Sequence, residues 1–200
     1  ILLQLTNLYV YTGPSIVGLI LALISIIMSL ILIPNRHNPG VKPLIYLYIS
    51  LFFWAFGYIF ESAAMEVPQK LFWSQFAYIG TVTTPLLLLA FAQEYSNQYI
   101  LKKPIHFILA SIIPFLTLMF SWTNEMHHWV WVEINIQGPM HLATYQHGFW
   151  FWIFVLYTYI FITVSFILLF STALRLFKIY RRQAIIIIFS CLFGVVGNIM

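Results

Sequence analysis

Residues 123–148, TNEMHHWVWVEINIQGPMHLATYQHG, hold four of the six histidines (His127, His128, His141, His147) and two of the five glutamates (Glu125, Glu133), with no lysine or arginine. Imidazole and carboxylate ligate zinc, and imidazole titrates near neutrality. Three roles therefore fit this stretch: a metal site, a pH-responsive or ligand-covering lid, or a polar connection between buried segments. The metal role asks most of the spacing. Zinc needs three or four donors meeting tetrahedrally, adjacent histidines such as His127 and His128 rarely converge on one ion, and no His-Glu-x-x-His pattern occurs. Neither metal nor cofactor is expected, and capping or packing hydrogen bonds suit these groups better. The chain has no aspartate, no glycine-rich phosphate loop and a single cysteine, Cys191. That removes a Ser-His-Asp triad, an internal disulfide and a cysteine-based metal framework. No catalytic centre is expected within these residues.

The elements that position this loop follow from composition. The chain is 62% hydrophobic, 19% aromatic and 7% charged, with a mean hydropathy of +0.93. Too little polar surface remains to coat a water-facing domain, so lipid is the solvent. A membrane-crossing helix takes ~20 mostly apolar residues, and six stretches qualify: 12–33, 43–63, 73–96, 104–122, 149–172 and 183–200. They are continuously apolar, which favours helices over the alternating strands of a membrane barrel.

Charge then sets the expected orientation. Eight of the nine basic residues (Arg36, Lys42, Lys102, Lys103, Arg175, Lys178, Arg181, Arg182) fall in alternate connections, leaving only Lys70 on the other side. The positive-inside rule places the N-terminus outside and those loops in the cytoplasm. The net charge of +4 is thus an orientation signal, and nucleic-acid binding is not expected. No basic residue precedes the first span, which argues against a secretory signal peptide. The chain begins at Ile1 and stops at Met200 inside an apolar run, so it reads as a fragment, and a cytoplasmic output domain calls for a seventh span. The expected fold is an all-α polytopic helix bundle of the cell membrane, one transmembrane domain over 1–200. In the 123–148 loop, WVWVEINI and HLATYQH flank a Gly-Pro turn and predict a small extracellular β-hairpin over the bundle mouth.

Within the spans, Gly18, Ala22, Ser25 and Ser29 form one small-residue stripe and Ser190, Gly194 and Gly197 another, both suited to close helix packing. Pro85 and Pro114 interrupt the third and fourth spans, where Thr83, Thr84 and Ser111 are placed to satisfy freed carbonyls. Counting along the helices puts Glu94 at the cytoplasmic boundary, where a Lys or Arg is the expected partner. Glu61 falls near the outer boundary and is a site candidate or a solvated helix end. Other polar groups, including Gln75, Tyr78, Asn124 and Asn198, lean toward the same outer half. Five of the seven tryptophans (Trp122, Trp129, Trp131, Trp150, Trp152) border or occupy the loop. An interfacial aromatic belt explains Trp150 and Trp152 and explains Trp129 and Trp131 less well.

Several of these residues resemble the seven-helix N-terminal sensor region of bacterial and archaeal histidine kinases. The resemblance rests on Tyr78, Gly80, Pro85, Phe91, Ala92 and Tyr95 in the third span, and on Thr123, Asn124, His127 and Trp131 after the fourth. Gly148, Tyr157 and the basic turn Arg181–Arg182–Gln183 complete it. It covers most of residues 43–200, and the seventh helix and any kinase core lie outside the chain. The resemblance implies the input module of a two-component sensor kinase, with a cytoplasmic output domain and a homodimeric assembly. It makes the loop the ligand-facing side, with Asn124 and His127 shaping the site. The expected ligand-binding set is Glu61, Tyr78, Asn124, His127, Trp131 and His147, and the expected stimulus is small, hydrophobic or lipid-like. The alternatives are a small-molecule transporter or channel and a metal-dependent membrane enzyme. A transporter predicts polar residues through the midplane and internal repeats, and neither is evident.

Overall fold

A computed structural model describes residues 8–137 and 142–175. Its helices are α1 (Gly13–Leu32), α2 (Val41–Ala63), α3 (Val67–Ser96), α4 (Pro104–Trp122), a four-residue α5 (Asn124–His127) and α6 (Phe149–Arg175). Five of them, all but α5, are long and apolar enough to cross a membrane. The expected sixth span 183–200, with Ser190, Gly194, Gly197 and Asn198, lies outside the described residues, as do His141 and the Arg181–Arg182–Gln183 turn. The third helix starts at Val67 and not at 73. Glu66 is extended and Pro68 stands in the first turn, where a missing N–H costs nothing. Hydropathy alone does not register this polar first turn.

The bundle is built around α3, which packs on α2, α4 and α6, while α1 packs on α2. Over its most apolar stretch α3 is 56% buried among the described residues, against 17–33% for the other four, which makes it the central helix of the described bundle. Without a hydrophobic drive between helices in lipid, close backbone approach supplies the contact. A Cβ on Gly80 would stand 2.2 Å from the Ser50 carbonyl oxygen, and one on Gly57 would stand 2.7 Å from Ala77 Cβ. Only glycine lets α2 and α3 meet there. The stripe Gly18, Ala22, Ser25, Ser29 is buried as expected, with Ala22 against Ala55 and Ile59 of α2. At the far end Leu47, Leu88, Leu89, Phe91, Ala92, Leu168, Leu169 and Ala173 form the largest apolar cluster of α2, α3 and α6.

The proline interruptions are stabilised differently from expectation. Pro85 frees the Thr81 carbonyl, yet Thr84 Oγ1 donates to the Gly80 carbonyl (2.8 Å) and Thr83 Oγ1 to that of Ile79 (2.8 Å). Ser50 of α2 also donates to Gly80 (2.8 Å), so these hydroxyls tie α3 to α2. Pro114 frees the carbonyl of Ala110, and the hydroxyl that reaches it is Tyr157 of α6 (3.0 Å). Ser111 donates to Phe107 instead (2.8 Å), because a helical serine reaches its own preceding turn most easily. Glu94 is also partnered otherwise: its Oε2 accepts the Gly40 N–H (3.0 Å) at the entry to α2. A helix start carries partial positive charge and unpaired N–H groups, so it satisfies the Glu94 carboxylate as an ammonium partner would have.

The loop after α4 contains the expected hairpin. Strand β1 (Trp131–Gln137) pairs antiparallel with β2 (Leu142–His147), in register from Glu133↔Gln146 to Gln137↔Leu142, with an irregularity between Trp131 and Glu133. It sits at the bundle end that carries the C-terminus of α2 and the start of α3.

Candidate functional site

Asn124 opens the site. Buried in α5, its Oδ1 accepts the N–H groups of Val130 and Trp131 (both 3.0 Å), and its Nδ2 donates to the Trp131 carbonyl (2.8 Å). One amide thus satisfies three backbone groups where the chain turns into β1, because it carries an acceptor oxygen and a donor nitrogen on separate atoms. The turn aims Trp131 inward. It is 3% exposed, meets Tyr78 of α3 edge-on with centroids 4.9 Å apart, and lies 5.7 Å from the ring of Tyr145 on β2.

Tyr145 carries the hairpin into the bundle. Its hydroxyl donates to Glu61 Oε1 (2.9 Å) in the last turn of α2 and is in short contact with the hydroxyl of Ser74 on α3. Burial, and then the neighbouring Glu61 carboxylate, push the Tyr145 phenol above its ordinary value. The O–H therefore stays a donor, and the hydrogen bonds run from Ser74 to Tyr145 to Glu61. Lys70, fully buried, donates to the Glu61 main-chain carbonyl (2.8 Å). That carbonyl is among the unpaired last four of α2, so the ammonium caps the helix and complements its dipole. Gln75 of α3 reaches across to the Ser121 carbonyl of α4 (3.0 Å).

The expected set thus divides. Glu61, Tyr78 and Trp131 converge around Tyr145, and Asn124 positions the backbone that holds Trp131. His127 stands apart. Its Nδ1 accepts the Trp129 N–H (3.1 Å), which leaves the proton on Nε2 facing Thr123 Oγ1 (3.0 Å). Its ring packs on Phe120 and Trp129. Burial, then the charge of His128, hold it below the usual histidine pKa. His147 stacks flat on Phe151 at 3.6 Å, and the part of its ring buried there lowers its pKa. His128 adopts a left-handed conformation (φ 54°) that ends α5. Among the described residues no three His, Cys, Asp or Glu side chains gather as metal ligands would.

Over residues 17–200 the chain matches the family model of the N-terminal 7TM region of histidine kinase. The chain belongs to that family. It is a membrane sensory module of the histidine-kinase type and a multi-pass membrane protein. No curated protein and no solved structure matches it. Within this sensor region, residues that carried the resemblance have structural work. Gly80 permits the α2–α3 contact, and a Cβ on Gly148 would stand 2.2 Å from the Trp129 carbonyl oxygen. Tyr157 is the clamp on Ala110.

Tyr145, Ser74 and Lys70 are the functional candidates that the sequence did not mark. Tyr145 had a signal, as the aromatic of the return strand facing the same cluster as Trp131. Its carboxylate partner lies 84 residues away, beyond any local pattern.

Proposed function

We propose that this sensor region works in the cell membrane with its N-terminus and hairpin outside, and that a small or apolar stimulus acts on the cluster of Glu61, Tyr78, Trp131 and Tyr145. Asn124 and His127 then shape the approach to it, and His147 steadies the hairpin base. The carrying observation is the part-buried hydrogen-bond path from Ser74 through Tyr145 to Glu61, which joins the hairpin to α2 and α3 at once. A ligand shifts a two-state bundle only by binding one state better than the other. A hairpin latched to two helices by one phenol meets that requirement, since seating or releasing Tyr145 changes how α2 and α3 are held. The concentration of basic residues at the opposite end supports the orientation. The change would pass through further helices to a cytoplasmic kinase acting as a homodimer. Family membership favours this reading over a transporter or a metal-dependent membrane enzyme.

The test is autophosphorylation of the full-length kinase in proteoliposomes, with Tyr145→Phe and Glu61→Gln beside the parent. Each variant is expected to shift basal activity at least threefold, in the same direction, at unchanged protein yield. Equal activity in all three proteins would rule out the latch.

A further inference from the structure

The outward side of the hairpin base exposes large apolar side chains beside the exposed Glu125 and His128. Around the α5–β1 corner Met126 is 85% exposed, with Trp129, Phe149 and Trp152 also open. The ring of Trp129 touches Phe120 of α4 (5.0 Å between centroids) and Phe149 of α6 (5.3 Å). Phe115 and Met119 on α4, and Ile153 and Leu156 on α6, continue this exposed apolar surface down the helices. On the strands beyond the base, exposed polar side chains come in: Glu133 and Gln146 bond one another (3.0 Å) and Thr144 is open, alongside an exposed Val132. Apolar surface is therefore contiguous with the exposed apolar sides of α4 and α6 and becomes mixed where the strands leave the bundle.

We propose that the α5–β1 corner is an interfacial anchor, with Met126 and Trp129 seated at the headgroup–acyl boundary of the leaflet on the hairpin side. Its partner is the bilayer itself. Continuity with the lipid-facing helices selects that partner, because a surface meant for a soluble protein would be set off from them by a polar rim. Tryptophan with an apolar body and a polar N–H suits this depth, and an exposed methionine beside it adds apolar surface without a fixed shape. The geometry gives the anchor a consequence. Trp129 in the lipid interface and Trp131 in the bundle core are two residues apart on a backbone pinned by Asn124. Sideways pressure in the headgroup layer is thereby delivered to the Tyr145–Glu61 latch. This consequence rests on the function proposed above, whereas the anchor does not. It assigns the stimulus to amphiphiles that partition into the headgroup layer.

The experiment places a spin label at Met126→Cys, and separately at Glu133→Cys, in the full-length kinase with other cysteines replaced, in phosphatidylcholine nanodiscs. Collision with oxygen, which concentrates in lipid, is compared with collision with a water-soluble nickel chelate. The label at 126 is expected to favour oxygen, and the one at 133 to favour nickel, with accessibility ratios at least threefold apart. A nickel-accessible label at 126 overturns the anchor, and so does one shielded from both reagents, which means that protein covers the face. A label-free check uses phosphatidylcholine brominated near the headgroup. Trp129→Phe should remove a clear share of the tryptophan quenching, and an unchanged quenching profile overturns the anchor. Autophosphorylation of the Tyr145→Phe variant does not enter either measurement, so the anchor and the latch fail separately.

Discussion

Single side chains at the hairpin base do more structural work than their number suggests. Truncating Asn124 to alanine orphans two backbone N–H groups and a carbonyl, all buried. Each unpaired group costs roughly 1–3 kcal/mol, so Asn124→Ala is expected to lower thermal stability in detergent more than any other single change in the loop. Circular dichroism melts read this directly. Histidines supply the pH dependence. His127 and His147 both have folded pKa values below the unfolded value. Their neutral forms are favoured by folding, so the stability they contribute is complete above the unfolded pKa of ~6.5. It is lost as pH falls from there through the lowered folded values. For His127 the reason is also geometric, because protonating Nδ1 removes the acceptor of the Trp129 N–H. Melting temperature should fall from pH 7.5 to 5, and His127→Gln with His147→Gln should flatten that slope. A slope retained in the double variant would place the titration elsewhere.

Among the elements, α4 is held at its proline by a neighbour. Pro114 removes the intrahelical donor to Ala110, and Tyr157 of α6 replaces it. Trp150 supports the same contact, donating from its indole N–H to Thr117 Oγ1 (2.9 Å), so this tryptophan serves packing and is less a lipid anchor than Trp152. Tyr157→Phe is expected to destabilise by roughly 1–3 kcal/mol, the cost of an unpaired buried group. In a Pro114→Ala background, where residue 114 supplies its own N–H, the same change should be nearly neutral. A double-mutant cycle on unfolding free energies measures that coupling. Additive effects would show that Tyr157 does not replace the missing helical bond.

Across the whole molecule, the organising feature is polarity between two ends. One end carries the hairpin, the latch and Lys70. The other carries Arg36, Lys42, Lys102 and Lys103 with the Glu94–Gly40 contact. If the basic end is cytoplasmic, a membrane-impermeant maleimide applied to intact cells should label Glu133→Cys and spare His37→Cys, with the latter reacting only after permeabilisation. The reverse pattern would invert the topology. The same end-to-end division makes α3 the element able to relay a change, since it touches the hairpin cluster through Ser74 and Tyr78 and the far core through Leu88, Leu89 and Phe91.

Sequence alone determined that this is a lipid-solvated helical protein, where the five described spans lie save for the start of the third, that a hairpin interrupts them, and which family it resembles. These properties depend on composition and on periodicities of a few residues, which are local. The third helix began earlier than its hydropathy suggested, because a proline-led polar turn is helical without being apolar. Of the candidate site, Glu61, Tyr78, Asn124 and Trp131 were legible from depth, polarity and resemblance. Their partners were not. Glu94 choosing Gly40, Tyr157 reaching Ala110 and Tyr145 reaching Glu61 each join residues dozens of positions apart. Such pairs exist only once helices pack, because an unpaired polar group in a membrane protein takes whichever partner the neighbouring element brings within 3 Å or so. The tertiary structure decided those pairings, and with them which side of the hairpin faces the bundle.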